Sequence, residues 1–123
     1  MGRAEVEVLR ERARMFLEAA RDDLRAGRVD LAAFHAEQAS QLALKYVLAV
    51  QAGYYPHTHS LRRLFEEVRA VRPDLWQLYE RHMLAFEVME DAYLGARYLP
   101  RRYSREVVEH LIKVAEEVAS LCT

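Results

Sequence analysis

Arginines and tyrosines crowd the stretch from 97 to 105, where Arg97, Arg101, Arg102 and Arg105 alternate with Tyr98 and Tyr103. A guanidinium grips phosphate through a planar two-pronged fork, and a tyrosine ring stacks on a base. This pattern suits contact with a nucleotide or RNA. Ser104 and the first amides of the helix after it would add a second element that attracts anions. The opposing reading is a solvated turn whose arginines pair with Glu87, Glu90 and Asp91 on the preceding helix.

Histidines offer acid–base chemistry, and two lie at suggestive distances from an arginine: Arg105 with His110 and Arg28 with His35. Arg105 and His110 would share one helix, where five positions turn their side chains ~140° apart. His57-x-His59 is a weak metal motif, because no cysteine follows and no carboxylate stands at a telling spacing. The simpler role for Thr58-His59-Ser60 is to cap the next helix. His82 shares a helix side with Leu75 and Tyr79 and reads as a partly buried packing residue.

A third group sits inside a long apolar segment: His35, Gln38, Gln41 and Lys45, with Glu37 nearby. Buried amides and imidazoles need partners. Tyr93, Glu90 or Arg97 could supply them, either as an internal network or as a polar cleft that accepts a nucleotide.

The elements that must carry these groups are helical throughout. The chain has 123 residues, 52% hydrophobic and 30% charged, with four glycines and three prolines, a profile of one compact domain over 1–123. A formal net charge of -1 gives no global pull on nucleic acid, so any such site is a local patch. Cys122 stands alone, which excludes an internal disulfide and a cysteine metal cage. The longest apolar run near the middle, Tyr46 to Val50, is too short to span a bilayer, and acidic and basic residues interrupt the N-terminus. A cytoplasmic protein is expected, with no membrane partner, metal or cofactor.

Periodicity predicts a first helix over 4–26 with Leu9, Ala13, Phe16, Ala20 and Leu24 on one stripe, ended by Gly27. A second, over 29–52, has a face of Leu31, Phe34, Leu42 and Ala49 and another of Ala32, Ala36, Ala39, Ala43 and Val50. Such a helix belongs at the centre of a bundle, and its alanine face would permit close approach within the chain or across a dimer. A short third helix carries Leu61, Leu64, Phe65 and Val68. The fourth is expected as one piece over 74–96, and the fifth from Ser104 towards Leu121 through Val107, Leu111, Val114, Ala115 and Val118. The fold class is all-α, an up-and-down bundle of about five helices.

Several of these residues together resemble the HEPN family, small helical domains that occur beside minimal nucleotidyltransferases. They are Asp22-Asp23-Leu24, Gly27-Arg28-x-Asp30, Phe34-x-Ala36-x-Gln38-Ala39, Leu44-Lys45, Gly53, Pro56, Thr58-His59-Ser60-Leu61 and Ala92-Tyr93-x-x-x-Arg97-Tyr98. The resemblance spans nearly the whole chain. It implies a homodimer and a nucleotidyltransferase partner in a toxin–antitoxin-like module. It also implies nucleotide or RNA binding through Arg97, Arg101, Arg102 and Tyr98, beside Tyr93 and Gln38.

Many members of the family carry an arginine and, after four to six intervening residues, a histidine that cleave RNA without metal. In the matching register Arg97 is followed by Tyr98, Leu99, Pro100, Arg101 and Arg102, so an arginine stands where the histidine belongs. Arginine cannot shuttle protons near neutral pH. The catalytic residues are thus unassigned. An active metal-independent ribonuclease using His110 or His59 across a dimer is the alternative, and a purely structural dimeric module is a third. In some relatives the partner adds nucleotides to a tyrosine; Tyr103 lies near that place but out of register.

Overall fold

The computed structural model describes residues 1–99 and 102–123. Among them all regular structure is helical: α1 (Arg3–Arg25), α2 (Val29–Ala52), α3 (Leu61–Val68), α4 (Pro73–Arg81), α5 (Met83–Tyr98) and α6 (Arg105–Cys122). The all-α bundle expected from periodicity is present, with six helices rather than five.

Helix α1 buries Leu9, Ala13, Leu17 and Ala20, while Phe16 and Leu24 pack at the edge of the core. Gly27, at φ 82°, reverses the chain. The Gly27 amide donates to the Leu24 carbonyl at 3.1 Å and the Arg28 amide to the Asp23 carbonyl at 2.8 Å. These two bonds satisfy carbonyls that the helix end would otherwise strand, and a left-handed φ favours glycine there.

Helix α2 is central and packs on α1, α3, α5 and α6. Ala32, Ala36, Ala39 and Ala43 are 0–1% exposed, so this small-residue face is consumed by packing within the chain. The expected faces also included Leu31 and Val50, but these are exposed at 39% and 56%. Ala32 and Ala33 beside the first and Ala49 beside the second are buried, so both side chains point away from the packed faces. Gly53, at φ 80°, ends α2.

Helix α3 is short and strongly one-sided: Leu61, Leu64, Phe65 and Val68 are all fully buried. Ser60 Oγ caps it by accepting from the Arg63 amide at 3.2 Å. Glu90 of α5 also accepts from the Arg62 amide at 3.0 Å, which ties α3 to α5 through the helix's positive end.

The fourth helix predicted over 74–96 is two helices. The chain turns at His82, at φ -122° and ψ 29°. No glycine or proline stands there. The turn lets Tyr79 of α4 and Phe86 of α5 both reach Phe65, at ring centroid distances of 4.9 and 4.6 Å. His82 Nε2 lies 3.4 Å from Glu117 of α6.

Helix α6 runs antiparallel to α1. Arg105 donates to the Leu24 carbonyl at the end of α1, and Arg10 near its start reaches the Thr123 carbonyl. Ser104 caps α6 as expected, accepting from the Val107 amide at 3.2 Å. Val107 itself is 41% exposed and lies outside the core stripe expected of it; Val108 is buried instead. No helix is long and apolar enough to cross a membrane among the described residues.

Candidate functional site

One stripe of α2 carries Phe34, Gln38, Gln41 and Lys45, spaced four, three and four residues apart and therefore on one face. Tyr93 and Arg97, one turn apart on α5, meet its N-terminal part, and His59 from the α2–α3 connection meets its middle. The Arg97 guanidinium lies over three rings, with Cζ 5.2 Å from the Phe34 centroid, 4.5 Å from Tyr93 and 4.9 Å from Tyr98. Its Nε donates to the Tyr93 carbonyl at 3.0 Å. Among the described residues Arg97 makes no ion pair with a carboxylate. Aromatic faces hold the cation in place without neutralising it, and the last turn of α5 favours its charge. The terminal guanidinium nitrogens remain for an anion.

Tyr93 is shared. Its ring stacks on His59 at 5.0 Å with an interplanar angle of 23°, and meets Phe34 at 6.2 Å. His59 is exposed, and its Nδ1 lies 3.2 Å from Gln41 Oε1. Because that oxygen only accepts, Nδ1 carries the proton and the other ring nitrogen is left to act on a ligand. Tyr98 is 71% exposed, and its ring is open to stacking.

Beneath this surface runs a polar chain. Glu37 is fully buried, with Gln38 Nε2 donating to its Oε1 at 2.7 Å and Gln41 Nε2 to its Oε2 at 2.9 Å. Lys45 Nζ donates to Gln41 Oε1 at 3.0 Å. Burial pushes the Glu37 carboxyl up to about 7 and the neighbouring charge of Glu90 adds to this; the bonds from Gln41 and Gln38 and the charge of Lys45 oppose it. Burial likewise lowers the Lys45 ammonium, against the attraction of Glu37.

The polar set expected along α2 thus divides in two. His35 does not join Gln38 and Gln41. Its Nδ1 lies 2.5 Å from Asp23 Oδ2, and Arg28 Nε donates to Asp23 Oδ1 at 2.9 Å. The pair Arg28 and His35 is brought together on one buried carboxylate that braces the α1–α2 turn. Arg105 and His110 are not brought together: Arg105 lies 3.3 Å from Glu109, while the His110 ring meets His82 at 5.9 Å. His57 turns to the edge of Tyr55 and not to His59. No group of three metal-binding side chains occurs among the described residues.

Of the residues proposed from sequence to bind a nucleotide, Arg97, Tyr98 and Tyr93 converge, and Gln38 lies one turn along α2 from the Phe34 ring that Arg97 and Tyr93 meet. Arg102 stands apart, 90% exposed and 3.6 Å from Asp30, and Arg101 lies outside the described residues. Arg102 therefore pairs with the start of α2 and not with Glu87, Glu90 or Asp91 of α5. The Tyr103 hydroxyl donates to Asp91 at 2.5 Å, and its amide to Asp30 at 3.0 Å. Sequence alone does not assign Phe34 to the site, and it offers Gln41 only as a member of the α2 polar set and His59 only in the alternative ribonuclease reading. The signal for the first two was the stripe itself, since Phe34 and Gln41 flank Gln38 at helical spacing.

Cys122 is buried, and burial pushes its thiol up to about 12, as befits a packing residue.

No curated protein matches the chain. The family model for the HEPN domain matches residues 6–123, a span that takes in the Asp23 brace, the α2 stripe and the Arg97 platform, and the chain belongs to the HEPN domain family.

Proposed function

We propose that this HEPN domain binds a nucleotide or an RNA end in the cleft between the α2 stripe and α5. Family membership supports a role tied to nucleotides or RNA, a toxin-like activity or an interaction at that general level. The observation that carries the narrower reading is Arg97. It is a cation seated on Phe34, Tyr93 and Tyr98 with no carboxylate partner among the described residues. Phosphate takes the guanidinium fork, and the exposed Tyr98 ring stacks on a base. Gln38 and His59 supply hydrogen bonds beside them.

In this reading the domain works with a minimal nucleotidyltransferase in a toxin–antitoxin-like pair, as its family resemblance implies. It acts as a homodimer. Since the alanine face of α2 is buried inside the chain, the dimer uses another surface. A groove of about 450 Å³ between α5 and α6, lined by Leu84, Ala85, Val88, Val107, His110 and Leu111, supports this.

A second reading draws on His59, which shares the Tyr93 ring with the Arg97 guanidinium. A histidine beside an arginine suits metal-independent cleavage: the imidazole would take the ribose 2′-hydroxyl proton as that oxygen bonds to phosphorus, the arginine would stabilise the phosphorane charge, and the P–O5′ bond would break with the imidazolium returning the proton to the departing 5′-oxygen.

Purified protein incubated in EDTA with labelled RNA, and separately with ATP, separates the two. Binding of ATP that Arg97→Ala abolishes, without RNA cleavage, supports the binding domain. Cleavage lost in His59→Ala supports the ribonuclease. Absence of both signals rejects both readings.

A further inference from the structure

Within the proposed cleft, Glu37 and Gln38 form a unit whose behaviour follows from hydrogen-bond chemistry. An ionised carboxylate only accepts, so both neighbouring amides must turn their NH2 groups inward, as the bonds from Gln38 and Gln41 show. A protonated carboxyl must also donate, and one of the two amides then has to turn its carbonyl inward.

The two are not equally able to turn. Gln41 Oε1 already accepts from Lys45 Nζ at 3.0 Å and meets His59 Nδ1 at 3.2 Å. Turning it would set an NH2 group against the ammonium. Gln38 is partly exposed, and its carbonyl oxygen has no hydrogen-bond partner among the described residues. It turns at little cost.

We propose that Glu37 is a positioning residue that sets, by its protonation, whether Gln38 offers the cleft an acceptor or a donor, so that binding of a phosphate-bearing ligand draws in a proton. The coupling rests on the nucleotide-binding reading. With Glu37 ionised, Gln38 presents its carbonyl, which repels phosphate oxygens. With Glu37 protonated, Gln38 presents its NH2 group and joins Arg97 in gripping the anion. The negative ligand favours the neutral carboxyl as well, so both effects have one sign.

The surroundings leave Glu37 as the group that titrates in this way. The charges acting on it are Lys45 of its own helix and Glu90 of α5. His59, from the α2–α3 connection, touches Gln41. Helix α3 pairs Arg62 with Glu66 and Arg63 with Glu67. Helix α1 spends Asp23 on Arg28 and His35, and α6 pairs Glu116 with Arg21 and Glu117 with His82. A carboxyl raised to about 7 changes state in the range where cells work.

The test has one arm without ligand and one with ATP. In ¹⁵N-labelled protein, the side-chain amide of Gln38 should shift with a midpoint near the Glu37 carboxyl ¹³C midpoint, while that of Gln41 stays nearly still. Glu37→Gln should abolish the Gln38 shift. Calorimetry of ATP binding near pH 7, in two buffers of different ionisation heat, should show greater proton uptake in the wild type than in Glu37→Gln. A Gln38 amide that does not titrate, or that still titrates in Glu37→Gln, overturns the proposal even if ATP binds. Titration of Gln38 through Glu37 without ATP binding upholds the switch and rejects the nucleotide reading. Should Glu37→Gln fail to fold, the paired wild-type midpoints of Gln38 and Glu37 decide the matter: coincident midpoints support the switch and separate ones overturn it.

Discussion

The Arg97 guanidinium lies on the ring of Tyr93, 4.5 Å from its centroid, while its Nε donates to the carbonyl of the same residue at 3.0 Å. One residue thus supplies both the face and the acceptor that orient the cation. A flat delocalised cation exploits both contacts, whereas an ammonium is a point charge with no plane to stack.

Arg97→Lys therefore keeps the charge and loses the geometry. Affinity for ATP should fall about tenfold, with unfolding stability unchanged within about 0.5 kcal/mol because the side chain is exposed. Calorimetry and urea unfolding on the same preparation check both halves. Full affinity in Arg97→Lys would mean that charge alone matters.

Glu37 makes stability depend on pH. Its carboxyl is raised from 4.5 to about 7 by burial, so the folded state holds a proton that the unfolded chain has released. Its contribution is complete below the unfolded value and is lost as pH rises through about 7. The loss amounts to about 3 kcal/mol, because each tenfold gain in proton affinity is worth ~1.4 kcal/mol. Glu37→Gln removes this slope, and the variant should gain on the wild type by that order between about pH 5 and pH 8. Urea unfolding across the range measures it; parallel curves for the two proteins would contradict the assignment.

Asp23 is 6% exposed and joins Arg28 and His35. Asp23→Ala leaves His35 Nδ1 without its acceptor and frees the turn between α1 and α2. It should cost about 2 kcal/mol, and Asp23→Asn less, because one oxygen still accepts. Chemical denaturation gives both numbers. A neutral Asp23→Ala would show that the turn is held by its backbone bonds alone.

Cys122, with its thiol pushed up by burial, should resist iodoacetamide in the native protein near pH 8 and react on unfolding. Mass spectrometry of the two states reads the difference directly. Rapid native labelling would place the thiol in solvent.

Much of this molecule is written locally. The 3.6-residue recurrence of apolar residues, the serine caps at Ser60 and Ser104, and the glycines at 27 and 53 specify where most helices lie, because each signal acts within about one turn. Those same local signals set Phe34, Gln38, Gln41 and Lys45 on one face and bring Tyr93 one turn before Arg97. What lies outside them depends on residues distant in sequence. The break at His82 accompanies the packing of Tyr79 and Phe86 on Phe65, and no glycine or proline near His82 announces it. His35 and Gln38 are separate because Asp23 of another helix claims the first and Glu37 the second. His59 joins the Arg97 platform only because α5 delivers Tyr93 beneath its ring. Periodicity states which side of a helix is buried; which partner meets it there is settled by packing between helices, where hydrogen bonds and ring contacts compete in three dimensions.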